Sequence, residues 1–167
     1  MLKQSPYSLT QNPFTLIENQ WAMITTRVGD KVNTMTANWG GVGILWYKPV
    51  VYLVVRPQRF THEQLEQSER FSVCFLPEEY RKQATYCGKI SGRDQDKLAV
   101  CGFDTIDLDG APVLAQSELV FTCRKVLSQQ FDSKAILDET VLKSVYHGND
   151  FHFLYVGEIL GTYQQEV

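Results

Sequence analysis

Residues 21–39 read WAMITTRVGDKVNTMTANW. Trp21 to Val28 is rich in β-branched and aromatic residues, Gly29-Asp30 supplies a turn, and Lys31 to Trp39 resumes the strand character. This is the pattern of a β-hairpin. Residues 50–55 (VVYLVV) are apolar on both faces, which predicts a strand covered on both sides. Phe71 to Leu76 reads as another strand. Leu119, Phe121 and Cys123 alternate with Val120, Thr122 and Arg124, and a last strand runs from about Phe151 to Ile159.

Three short helices have start signals. Thr61-His62-Glu63-Gln64 has the form of a capping box, with Phe60 and Leu65 placed for a hydrophobic staple. Pro77-Glu78-Glu79 opens a second helix, which Gly88 would close. Ser91-Gly92-Arg93-Asp94 opens a third, ended by Gly102. The helices are too few and too clustered for repeated βαβ units. A mainly β single domain over residues 1–167 is expected, with short helices and a Greek-key or split β-barrel sheet.

Composition narrows the function. At 44% hydrophobic and 21% charged residues in 167, the chain has ordinary globular usage and is not a disordered segment. A net charge of −3 disfavours nucleic acid and polybasic membrane binding. The longest strongly apolar run, Pro49 to Val55, stops at Arg56, far short of the ~20 residues a spanning helix needs. The start MLKQSPYSLTQ has no signal-peptide apolar region. Cys74, Cys87, Cys101 and Cys123 form no CxxC pair, and read as reduced, buried thiols of a cytoplasmic protein.

Several chemistries fail on spacing. Residues 40–43 (GGVG) do not fit GxGxxG and open no helix, so they read as a loop. Gly88-Lys89 lacks the earlier glycine of a phosphate-binding Walker loop. His62, His147 and His152 are too scattered for a metal site, and no GxSxG nucleophile motif occurs.

Three segments remain. Asn33-Thr34-Met35-Thr36-Ala37-Asn38-Trp39 could offer a strand's backbone amides to a flat heterocycle, or could be a polar strand with Trp39 in the core. Arg56-Pro57-Gln58-Arg59-Phe60-Thr61 puts two arginines before a helix N-terminus, either as a phosphate cradle or as a surface loop. Ser91 to Lys97 carries glycine and lysine into a helix start; its plain alternative is a surface Lys97/Asp94 pair.

In this order, followed by Tyr146-His147 and FHFLYVGEI, these segments resemble the flavin reductase-like family with its FMN-binding split-barrel fold. The likeness runs from about Met23 to Phe103 and more weakly onward. It implies FMN contacts from Asn33, Thr34, Met35, Thr36, Ala37, Asn38 and Trp39, and a phosphate end at Arg59 and Thr61. Ser91, Gly92 and Lys97 match the third segment. His147 matches a late histidine near the open flavin face, which makes it the catalytic candidate, placed to orient a nicotinamide or to close the site. Asn38 stands where a smaller residue is expected. The resemblance also implies a homodimer and an NAD(P)H-dependent flavin oxidoreductase. The alternative is a flavoredoxin-like carrier passing electrons to a redox protein partner.

Overall fold

The computed structural model describes residues 1–165. The strands are β1 (Leu2–Gln4), β2 (Ala22–Val28), β3 (Lys31–Ala37), β4 (Gly40–Leu45), β5 (Lys48–Val55), β6 (Arg70–Phe75), β7 (Thr105–Leu108), β8 (Ala111–Leu114), β9 (Leu119–Gln130) and β10 (Phe153–Gln164). The helices are α1 (Pro13–Thr15), α2 (Phe60–Gln67), α3 (Arg81–Lys89), α4 (Lys97–Cys101) and α5 (Glu139–Val145). The fold is mainly β with short helices.

The large sheet runs β3-β2-β6-β9-β10-β5-β4, with β1 added to β10, and its pairings are antiparallel. The hairpin read from residues 21–39 is present: β2 pairs with β3 from Ala22↔Ala37 to Val28↔Lys31. Alternation on the central strands serves two cores. Ile24, Val73 and Phe121 join Met35, Leu53, Phe71 and Tyr155 on one face. Met23, Cys74 and Val120 join Cys87, Val113 and Leu114 on the other, where α3 and the β7–β8 hairpin cover the sheet. β10 is the hub between the two halves, pairing with β9 on one edge and with β5 on the other.

Local signals shift in four places. Residues 40–43 are not a loop but the first part of β4, an end strand paired only with β5. α2 starts at Phe60 without a side-chain cap. The Thr61 hydroxyl instead accepts from Asn33 Nδ2 at 2.9 Å, and Gln64 Oε1 accepts from the Thr26 hydroxyl at 2.5 Å. Tertiary partners thus outcompete the capping box. Gly88 lies inside α3, where it gives close approach to Thr36 of β3, and the helix runs on to Lys89. α4 begins after Asp96, whose Oδ1 takes the amides of Leu98 and Ala99 at 3.1 Å each; residues 91–95 form the turn before it. Gly102 ends α4 in the left-handed conformation, as expected.

The β4–β5 turn is unusual. Trp46 and Tyr47 both have positive φ, 50° and 61°, at the two positions where a tight hairpin ordinarily takes Asn and Gly. Both rings are exposed.

Candidate functional site

β3 ends the sheet, so its outer edge is unpaired. A cavity of about 250 Å³ lies along that edge, lined by Met35, Thr36, Ala37, Asn38 and Trp39 together with Val54, Arg56, Arg59, Gly88 and His152. Side chains alternate along a strand, so five successive lining residues mean that the backbone edge itself is a wall. A second cavity of about 180 Å³ continues past Met35 and Arg59 to Thr61, Ser91, Gly92 and Lys97. The two share Met35 and Arg59 and make one groove, within the ~300–1,000 Å³ of small-molecule sites.

The ends differ in chemistry. At the first end, Trp39 is 48% exposed, which excludes it from the core, and its ring centroid stands 5.3 Å from that of His152. His152 is buried, and its Nδ1 is 2.9 Å from the Tyr146 hydroxyl. Burial, and then the nearby Arg56, pull its pKa down to about 4, so the ring is neutral at ordinary pH. Arg56 itself is engaged, paired with Asp150 and donating to the Val145 carbonyl at 3.1 Å.

The other end is cationic. Arg59 is partly buried and donates to the Gly88 carbonyl at 2.7 Å; burial lowers its pKa. Lys97 is buried, not paired with Asp94 at the surface, and donates to the Cys87 carbonyl at 3.1 Å. Burial pulls its pKa down to about 8, with Arg59 adding repulsion. Gly92 is buried beside Asn33, whose Oδ1 has no hydrogen-bond partner; a Cβ at Gly92 would collide with that oxygen and with the Phe60 ring. The backbone turn therefore closes over Asn33 only with glycine.

Most of the residues singled out in the sequence gather on this groove. Asn33 does not line it; its side chain lies behind, donating to the Thr61 hydroxyl, and faces a neighbouring cavity with Lys31 and Gly92. Thr34 does not join them: it is fully buried, its hydroxyl 3.0 Å from that of Thr25 on the neighbouring strand. His147 is exposed in the turn after α5 and does not line the groove, whereas His152 does. Spacing could not separate two histidines five apart. Among the described residues, no three His, Cys, Asp or Glu side chains cluster to hold a metal ion, and no helix is long and apolar enough to cross a membrane.

Solved structures of known proteins share this fold. Flavoredoxin from Methanosarcina acetivorans superposes with a TM-score of 0.71 at 23% identity, over 88% of this chain and 69% of its own. An FMN-binding protein from Thermus thermophilus, solved with p-hydroxybenzaldehyde, gives 0.71 at 23% identity over 98% and 78%. The styrene monooxygenase flavin reductase of Pseudomonas putida S12 gives 0.66 at 20% identity over 89% and 80%. These likenesses show a shared fold. No curated protein sequence matches the chain. The sequence model of the flavin reductase like domain matches residues 15–166, nearly the whole chain, and the chain therefore belongs to that family.

Proposed function

We propose that this chain binds FMN along the outer edge of β3 and takes electrons for it from a nicotinamide dinucleotide, as an NAD(P)H-dependent flavin oxidoreductase. The observation that carries this is the groove's polarity: a strand edge with Trp39 and His152 at one end, Arg59 and Lys97 at the other. A flat ring suits the first and a phosphate the second. The residues fit the group. Arg59 and Lys97 each give one hydrogen bond to the protein, to the Gly88 and Cys87 carbonyls, which leaves further N–H donors for a phosphate.

The flavin, when bound, supplies hydride acceptance and onward electron transfer. The chain supplies the rest. Arg59 and Lys97 hold the phosphate, with Ser91, Gly92 and Thr61 beside them. The main chain of residues 35–39 orients the ring and offers fixed donors where negative charge gathers. Neutral His152, with one ring nitrogen tied to Tyr146, keeps the other for a hydrogen bond to ring or nicotinamide. It takes the part that the resemblance gives to His147.

The same reading covers the whole molecule. The chain is read as a single domain, and the contact between β3 and β5 supports closure of the sheet into a split barrel. The exposed Phe14, Ile44, Trp46 and Tyr47 support a homodimer.

The test is a fluorescence titration with FMN and riboflavin, followed by anaerobic addition of NADH or NADPH. Wild type should bind FMN and bleach on reduction. Arg59→Ala should lose roughly tenfold or more in FMN affinity, the worth of a charge-assisted hydrogen bond, and little in riboflavin affinity. Equal losses for both ligands would remove the phosphate cradle, and no bleaching with either nucleotide would remove the oxidoreductase.

A further inference from the structure

Cys87 lies on α3 and Cys101 on α4, at the two ends of the segment that carries Ser91, Gly92 and Lys97. Their sulfurs are 3.7 Å apart, in direct contact. Cys87 is buried and Cys101 partly exposed, so one thiol is open to a reagent and the other stands behind it. Neither lines the groove. The pair is also held in place. Lys97 Nζ donates to the Cys87 carbonyl, Arg59 donates to the next carbonyl at Gly88, and left-handed Gly102 stops α4 directly after Cys101. Cys74 and Cys123, by contrast, are fully buried in the sheet.

We propose that Cys87 and Cys101 are an oxidisable dithiol that closes to an intramolecular disulfide, a modification site separate from flavin binding. The oxidant is a hydroperoxide, with hydrogen peroxide as the simplest case. The Cys101 sulfur attacks one peroxide oxygen and the O–O bond breaks. The departing hydroxide takes a proton to become water, and Cys101 is left as the sulfenic acid. The Cys87 sulfur then attacks the Cys101 sulfur. The S–O bond breaks, and the hydroxyl leaves as water with the proton of the Cys87 thiol. The two thiols lose two electrons and two protons, and the peroxide becomes two waters.

Closure needs the sulfurs to move to the ~2.05 Å covalent distance, a small approach of α4 to α3. Burial holds the Cys87 thiol up at about 12 and raises that of Cys101, so contact, not thiolate reactivity, selects this pair. The bridge would close a loop over residues 87–101 and fix the base on which Ser91, Gly92 and Lys97 stand.

The experiment treats the reduced, full-length chain with hydrogen peroxide, then blocks remaining thiols with N-ethylmaleimide in denaturant. The expected product is two hydrogens lighter, keeps two of its four thiols, and yields one peptide joining Cys87 to Cys101. Its Tm should rise by roughly 5–10 °C through the constrained unfolded chain, and dithiothreitol should reverse the change. Cys101→Ser should keep all three remaining thiols and show no rise. Four thiols surviving in the wild type, a sulfinic acid at Cys101 without a cross-link, or a bridge through Cys74 or Cys123 would each overturn the assignment.

Discussion

Lys97, proposed above as a phosphate contact, acts against the stability of its own fold. Its ammonium is buried against a single carbonyl acceptor, and its pKa falls to about 8 because burial penalises the charge. At pH 7 it is still charged in folded and unfolded chains alike, so the folded state carries the full penalty. Lys97→Met should therefore make the ligand-free protein more stable, by about 1–3 kcal/mol in urea unfolding. The same variant should weaken FMN binding and leave riboflavin nearly unaffected. A less stable variant would show that the amine is well solvated where it lies. The sequence revealed Arg59 and Lys97 as candidates because cations beside small residues at chain turns are legible. It did not reveal that Lys97 is buried, since that depends on α3 packing over it. Thr34 shares its face with Thr36, which does line the groove, but it is fully buried against Thr25 of β2, a tertiary contact that strand parity does not reveal.

Elements were legible where one residue type settles the geometry and illegible where partners compete. Gly29-Asp30 and Gly102 marked a turn and a helix end that the structure keeps. The Thr61 capping box dissolved because Asn33 and Thr26 offered Thr61 and Gln64 better-buried partners. Residues 40–43 form a strand despite three glycines because β5 supplies every cross-strand partner. The turn joining these two strands violates local preference outright. Both Trp46 and Tyr47 sit at positive φ, which bulky side chains avoid. Replacing them together with Asn-Gly should stabilise the monomer by about 1 kcal/mol, read from the urea midpoint at low protein concentration. No gain would mean that the aromatic rings recover the strain through packing.

At the scale of the whole molecule, stability depends on pH through the groove. His152 has a folded pKa of about 4, lowered by burial and then by Arg56. The unfolded chain takes up the same proton near pH ~6.5. Between these values the unfolded state binds more protons, so stability rises with pH. It is fully present above about pH 6.5 and declines towards pH 4, by on the order of 3 kcal/mol. Urea unfolding from pH 7 to 4.5 should show this slope, and His152→Gln should flatten it. An equal slope in both proteins would place the effect elsewhere. The sheet's class and hairpins could be read from alternation, because each central strand faces a core on either side. Its strand order could not, because β10 joins strands far apart in sequence.

That hub has a consequence for synthesis. The β4–β5 hairpin meets the rest of the sheet through residues 153–164, which leave the ribosome long after it. Until they arrive, β5 exposes an unpaired, strongly apolar edge to the cell. The two halves of the sheet can join only once that late strand is made and pairs with β5 on one edge and β9 on the other.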